Sequence, residues 1–461
     1  MGAAMSCKNC IEKQLKIDDL EKRIEHLENQ LQHQKRKEKE GVFGSSTPSS
    51  QIPLKSNSNE ENQNKKGGAK PGHKGKGRRA IPENEADIIE TCFTDNICPD
   101  CGGTMENKGW KDRGAIDGEP IKVKKVIHRC EKKWCPKCKK TFQAKPDLLP
   151  RSLYGNTLIA NACVMHYVHG IPVGRLEEMF GRDISLGTLF KVFHRIAGIW
   201  KAAVEKLILE YRSQAVVHAD ETGWRTDGQS GYAWVFCTET ISIFQFKTTR
   251  SAAVPKAVFG EERLEGVLVV DRYAGYNKMP IRIQYCYSHL LRAVQDLEKE
   301  FSNNREVMAF VETLAPLIAD AIRLHREKIP DQEYYSIAEE LKKRIIDTVE
   351  RDARHFGIRK IQDIFRENEE RLYQWVKDRR VPAENNMAER DLRPSVIARN
   401  VSFGSQSMAG AETRSILMSI LNTARKRLYD CSVETWFKDC LDKISRNPSI
   451  DCFSLLPKRL S

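Results

Sequence analysis

The chain has 461 residues, with 76 Lys and Arg against 63 Asp and Glu, a formal net charge of +13 and a pI near 9.0. That length suits about three domains at roughly 150 residues each, and the basic balance points to a polyanionic partner. No run of about 18 apolar residues exists, which excludes an ordinary membrane-spanning helix. Met1 to Lys8 hold no apolar signal core, and 14 cysteines, several in Cys-x-x-Cys pairs, then suggest metal ligands in a reducing cytoplasm.

Taken in order, residues 1–40 form the first unit, of which 11–40 are highly charged, and Ile17, Leu20, Ile24, Leu27 and Leu31 repeat with the spacing of an a/d seam. A short coiled coil follows from that pattern, with a single solvated helix as the alternative. It suits a homodimer or higher oligomer, in which Cys7 and Cys10 can share a zinc site across the pair. Residues 41–88 are a linker rich in Ser, Asn, Gly, Pro and Lys. Inside it Lys65, Lys66, Lys70, Lys74, Lys76, Arg78 and Arg79 stand with no acid between them, a basic arm able to follow a phosphate backbone or to serve merely as a solubilising linker.

Residues 89–150 contain Cys98-Pro-Asp-Cys101 and Cys135-Pro-Lys-Cys138. Two such knuckles present four thiolates to one tetrahedral Zn²⁺, as in a zinc ribbon; Cys130, His128 or Cys92 can replace a ligand. The alternating stretch Ile121 to Ile127 is expected to supply ribbon strands. Residues 151–212 read as helices at Thr157 to Tyr167, Val173 to Phe180 and Ser185 to Ala197. The short break between the last two suggests a helix-turn-helix with Arg175, Arg182, Lys191, His194 and Arg195 toward DNA; the alternative is a helical buttress.

The apolar run Ala215 to Ala219 ends at Asp220 and Gly266 to Val270 ends at Asp271, and both read as buried strands. Between them lie a hairpin over Tyr232 to Thr238 and Ile241 to Lys247 and a helix over Ala252 to Phe259; Arg282 to Tyr287 reads as a fifth strand. Residues 305–378 are a helical insertion separating this part, 213–304, from residues 379–404. There Glu389 sits in a helical segment entered through Pro382 and closed by Pro394. Residues 405–461 form a C-terminal helical region. Two strand-end acids and a late helix acid are the succession expected of an RNase H-like fold. Such acids can hold a pair of Mg²⁺ ions about 3.5 to 4 Å apart.

The segments Asp220-Glu-Thr-Gly-Trp224, Asp271-Arg-Tyr-Ala-Gly-Tyr276, Cys286-Tyr-Ser-His-Leu-Leu-Arg292, Asn385-Asn-Met-Ala-Glu-Arg-Asp-Leu-Arg-Pro394 and Arg399 to Ser405 resemble the motifs of bacterial insertion-sequence transposases of family sixty-six. The chain departs from that pattern at Glu384, where the family usually has Asp, and at Tyr287, where it usually has Trp. The resemblance implies a multidomain α/β protein with an RNase H-like mixed-sheet catalytic core and a helical insertion. A coiled coil, a zinc ribbon and a helical DNA-binding unit would precede that core.

The activity implied is that of a DDE transposase cutting and joining double-stranded DNA at the ends of its own element, in the bacterial cytoplasm at the nucleoid, with helper proteins of the same element as further partners. Asp220 would serve both Mg²⁺ ions, and Asp271 and Glu389 would each complete one site, with Mn²⁺ able to substitute. His289 either touches the scissile phosphate and the metal shell or is a satisfied histidine at a helix start. Arg390 and Arg393 follow Glu389, and Arg393 shares its helical face and can clamp phosphate. The competing readings are a non-catalytic DNA-binding repressor derived from a transposase and a metal nuclease that cuts without joining.

Overall fold

The computed structural model describes residues 123–181 and 184–458, with isolated positions between 16 and 104. The chain divides into two compact units, residues 54–122 and the remainder. In the smaller unit the described residues include a 3-10 turn, Glu83–Glu85, and a turn at Asp100 and Cys101. The basic arm at 65–79, Cys7, Cys10, Cys98 and Arg182 lie outside the described residues. Of the expected coiled-coil seam, Leu20, Ile24, Leu27 and Leu31 are helical and about half exposed.

From residue 123 onward, the first strands of the larger unit are a hairpin of β1 (Lys132–Cys135) and β2 (Lys140–Gln143). Residues 123–130 contain no strand, so the described part of the alternating stretch, 123–127, does not supply the ribbon strands expected of it. The hairpin strands lie further on, around the turn that carries Cys135 and Cys138. Hydrogen bonds from the Cys138 backbone and thiol hold the Cys135 thiol below its usual range. Both strands are short and mostly exposed, with Trp134 and Phe142 each 59% accessible, so the hairpin has almost no apolar burial of its own.

Three helices follow: α1 (Asn156–Tyr167), α2 (Val173–Phe180) and α3 (Leu186–Arg212). Helix α3 runs well past the expected Ala197 because Trp200, Ala203, Leu207 and Tyr211 continue the buried stripe begun by Leu189, Phe193 and Ile196. These helices and the sheet share one hydrophobic core.

The sheet contains β3 (Val216–Thr226), β4 (Gln229–Cys237), β5 (Ser242–Lys247), β6 (Val267–Val270) and β7 (Arg282–Tyr285), with α4 (Ala253–Phe259) connecting β5 to β6. The strand order is β5-β4-β3-β6-β7; β5, β4 and β3 pair antiparallel, while β3, β6 and β7 pair parallel. This five-stranded mixed sheet among many helices is consistent with an RNase H-like core.

Beyond β7 come α5 (Tyr287–Glu300), α6 (Arg305–Leu324), α7 (Asp331–Val349), α8 (Phe356–Glu367), α9 (Glu369–Leu372) and α10 (Gln374–Lys377). Gln284 on β7 ties the end of this series to the sheet: its Nε2 donates to the Leu372 carbonyl at 3.1 Å, and its Oε1 accepts from the Gln374 amide at 2.8 Å. The chain then returns through α11 (Asn386–Ser402), α12 (Met408–Arg427) and α13 (Val433–Arg446).

Helix α12 covers the edge strand β5 by a matched ladder. Ser415, Ser419 and Thr423 accept hydrogen bonds from the amides of Phe246, Phe244 and Ser242 at 3.2, 2.8 and 3.0 Å. Four helical residues advance about 6 Å and two strand residues about 6.6 Å, so hydroxyls one turn apart meet alternate amides. The outward amides of β5 are thereby satisfied rather than left as a pairing edge.

Candidate active site

Strand β3 sits at the centre of the sheet because the apolar run before Asp220 is covered on both faces. It does not stop at Asp220 as expected. It continues to Thr226, with Asp220 paired to Val235 of β4, while the parallel ladder with β6 ends at the pair His218–Val269. Asp220 therefore lies just past the point where one neighbour peels away. The β3–β6 pairs differ by a constant 51 (267 − 216), and the same offset sets Asp220 level with Asp271, the residue that follows β6. Alternate strand residues share a face. The face that begins with Val216 and Val267 is sealed by Val381, just upstream of α11.

The approach to α11 is fastened to that face by Asn385. Its Nδ2 donates to the Ala219 carbonyl at 2.8 Å, so its Oδ1 is the acceptor facing His218 Nδ1 at 2.9 Å, and His218 carries its proton on Nδ1. Asn385 precedes the helix but makes no side-chain cap, its side chain being committed to β3. The Tyr287 amide donates to the Ala383 carbonyl at 2.7 Å, and the Asn385 amide donates to Cys286 Sγ at 3.2 Å. Glu389 follows one turn later, its amide donating to the Asn385 carbonyl at 3.3 Å. Helix α11 packs against β3 and β4, which carries Glu389 to the sheet from a sequence distance of more than a hundred residues.

Asp220, Asp271 and Glu389 are all buried. Burial raises the Glu389 carboxyl; Glu384 and Asp271 add to the rise, while Arg292 and Arg393 oppose it. Its Oε1 is sealed from solvent without a hydrogen-bond partner. Burial also raises Asp271, although the Tyr273 amide donates to its Oδ1 at 2.9 Å.

A fourth carboxylate, unassigned from the sequence, stands on the other face of β3. Glu221 is fully buried, with Arg250 Nε and Nη2 on its Oε1 at 2.9 and 2.6 Å and the Tyr276 hydroxyl on its Oε2 at 2.6 Å. Burial and the Asp271 charge nevertheless push it up to about 7. Arg250 lies over the Tyr273 ring at 4.1 Å, and the Tyr273 hydroxyl donates to the Arg250 carbonyl. The segment Asp271 to Tyr276 is thus a brace between the β3 acids and Asp271. Gly275 belongs to it because a Cβ there would meet the Tyr273 ring at 2.2 Å. The signal for this brace lay in the Asp-Glu and Asp-Arg-Tyr-Ala-Gly-Tyr motifs, but Arg250 comes from a loop with no motif of its own.

Concentrating buried carboxylates should cost stability. Asp271 is raised above its unfolded value, so its contribution is most favourable at low pH and is lost as pH rises through and above the ordinary carboxylate range. Asp271→Asn, which keeps an acceptor for the Tyr273 amide, is therefore expected to unfold at a higher temperature than wild type at pH 7.5 in metal-free buffer. Added Mn²⁺ should raise the midpoint of wild type and not of the variant. A lower midpoint for Asp271→Asn without metal would contradict this electrostatic account.

His289 is at the start of α5, and both its ring nitrogens are sealed from solvent with no partner. Burial, together with Arg292 and Arg272, pushes it down to about 3, so it is neutral. It is therefore not a satisfied helix-start histidine. Arg390 and Arg393 are exposed on α11, which runs through Pro394 instead of closing there as expected. Glu384 accepts from Arg326 and, at 2.5 Å, from Asn386; Tyr287 is buried with its ring centroid 5.8 Å from that of Trp375.

Among the upstream candidates, Lys191 and Arg175 are exposed, whereas Arg195 donates to the Pro150 carbonyl at 2.5 Å and His194 meets Thr413 Oγ1 at 2.6 Å. Among the described residues, no three His, Cys, Asp or Glu side chains stand close enough to enclose a metal ion, and no helix is long and apolar enough to cross a membrane.

The family model described as "Transposase IS66 family" matches residues 151–413, which span the sheet, the inserted helices, α11 and the start of α12. Three relatives from Sinorhizobium fredii (strain NBRC 101917 / NGR234) are each 22% identical. "Uncharacterized protein y4jD" aligns over 384 residues, 75% of this chain and 74% of its own length. "Uncharacterized protein y4hP" aligns over 422 residues, 81% and 75%, and "Uncharacterized protein y4qI" over 414 residues, 80% and 75%.

Proposed function

The chain belongs to the IS66 family of transposases, and on that premise we propose that it binds the ends of its own mobile element and cuts and joins DNA strands there, using Asp220, Asp271 and Glu389. The observation that carries this reading is their common location: Asp220 level with Asp271 by strand register, and Glu389 buried near the start of a helix that packs against β3 and β4.

The donor type suits hard divalent cations, since all three acids offer carboxylate oxygens and Glu389 Oε1 is buried without a partner, although the three side chains do not stand close enough in this structure to enclose an ion by themselves. These residues would hold two Mg²⁺ ions, which when bound would supply Lewis acidity at the attacking and leaving oxygens. The chain itself orients the reactants. Arg393, one turn beyond Glu389 and exposed, would take phosphate oxygens, and neutral His289, its ring nitrogens sealed from solvent, would help order the metal shell rather than touch phosphate. No protein nucleophile is required: water displaces the 3′-oxygen at the element end, and the freed 3′-hydroxyl displaces its counterpart in the target strand.

Upstream, Cys98, Cys101, Cys135 and Cys138 would hold one structural Zn²⁺; the Cys135–Cys138 turn between two short strands supports that part of the set. The Lys and Arg of residues 65–79 would add affinity for any duplex, and Lys191 and Arg175 more local contacts.

The test is cleavage of duplexes carrying the element's own ends in Mg²⁺. Wild type should nick to leave 3′-hydroxyls, and Asp220→Ala should bind the same duplex without nicking it. Binding without cleavage by wild type would favour a repressor.

A further inference from the structure

Helix α11 leaves the acid cluster with Glu389 near its start and exposes Arg390, Arg393, Ile397, Asn400 and Val401 along its length. No acidic side chain is exposed on it. The face changes from cationic near Glu389 to apolar at its far end, where Ile397 is 55% and Val401 38% accessible. Immediately beyond stands Phe403, 76% accessible and in the left-handed region at φ 60°.

That combination is not what the fold requires. The residue after a helix commonly adopts this conformation, but it is usually Gly, which has no Cβ to strain. Phe at positive φ is unfavourable, and an exposed ring recovers little by burial. The surrounding backbone nonetheless holds it there. The Phe403 amide donates to the Arg399 carbonyl at 2.9 Å, and Ser405 exchanges 2.9 Å backbone hydrogen bonds with Arg225 and Asp227 at the tip of the β3–β4 hairpin. Ser405 Oγ accepts from Trp224 Nε1 at 3.2 Å, and Gly404, at φ +131°, lies so close to that hairpin that a Cβ would meet the Arg225 carbonyl at 2.1 Å. A rigid base thus presents a strained aromatic ring to solvent. Such a pattern points to function rather than stability.

We propose that Phe403, with Ile397 and Val401 exposed on the last turns of the helix before it, is an apolar wedge that packs between base steps of duplex DNA lying along α11. The cationic start of the same face supplies the charge complementarity, Arg390 and Arg393 meeting phosphates between the acids and the wedge. Glu389 and Phe403 are separated by about 20 Å at the helical rise, or about six base pairs of duplex. The wedge therefore contacts DNA about six steps from the phosphate at the acids. This rests on the transposase reading for the identity of the duplex, but it is tested by binding rather than by cleavage.

The experiment uses the full chain, without Mg²⁺, on a duplex carrying the element's end with 2-aminopurine placed singly along it. Wild type should change the fluorescence at steps about five to seven from the cleavage position. Phe403→Gly, which relieves the strain, should melt no lower than wild type, lose that signal and bind about tenfold more weakly; Phe403→Trp should retain both. Two results would overturn the proposal: Phe403→Gly melting lower with DNA binding unchanged, which makes the ring structural, or Phe403→Gly losing self-association with DNA binding per subunit unchanged, which makes it an interface between copies. A wild type that shows the signal but never cleaves would defeat the transposase reading and leave the wedge standing.

Discussion

Asp271→Asn and Glu389→Gln should each slow Mg²⁺-dependent cleavage of element-end DNA on the order of 10³-fold while changing affinity for that DNA less than about threefold. Each substitution keeps the side chain's volume and removes one negative charge. Asn at 271 can still accept from the Tyr273 amide, and Gln at 389 stays on a helix held by Asn385 and the β3 strand. What is lost is an anionic oxygen donor. Duplex affinity resides in Lys and Arg elsewhere and in the face of α11, none of which is altered. Single-turnover cleavage with a parallel binding titration separates the two effects. Near-normal cleavage by either variant would remove that acid from the site, and an equal loss of binding would mean that it acts through folding.

The second large effect concerns the cysteines. The full chain should carry one zinc equivalent, and Cys101→Ser with Cys138→Ser should remove it. The β1–β2 hairpin has four residues per strand and little buried apolar surface, so metal binding of about 10 to 16 kcal/mol would be its dominant source of order. The zinc-free variant should become protease-sensitive near residues 130–143 while the main thermal transition, set by the shared core of sheet and helices, shifts little. Wild type without zinc, or a hairpin equally protected without its cysteines, would contradict the assignment.

The five strands were legible because their apolar runs are short, β-branched and bounded by turns, and Asp271 falls at the end of its strand as read. Asp220 was misplaced relative to its strand because the polar residues Glu221, Thr222 and Thr226 are buried by Arg250, Arg399 and neighbouring elements, partners no local pattern reveals. Pro394 looked like a stop, yet a proline inside a helix costs one amide hydrogen bond, and burial of Leu392, Ser395 and Ala398 on the sheet carries the helix past it. The register that aligns Asp220 with Asp271, the Asn385 clamp and the Glu221–Arg250–Tyr273 brace all depend on contacts between distant segments. Motif spacing announced the acids; only packing explains how they are held.

The proposed site is expected to join DNA as well as cut it. The most direct measurement supplies a pre-cleaved element end with a free 3′-hydroxyl, a target duplex and Mg²⁺, and follows covalent transfer of the labelled end. Wild type should give a joined product that is absent with Asp220→Ala and when the end carries a 3′-deoxy terminus. Efficient nicking of intact ends with no joining of the pre-cleaved end would contradict the claim and make the protein a nuclease.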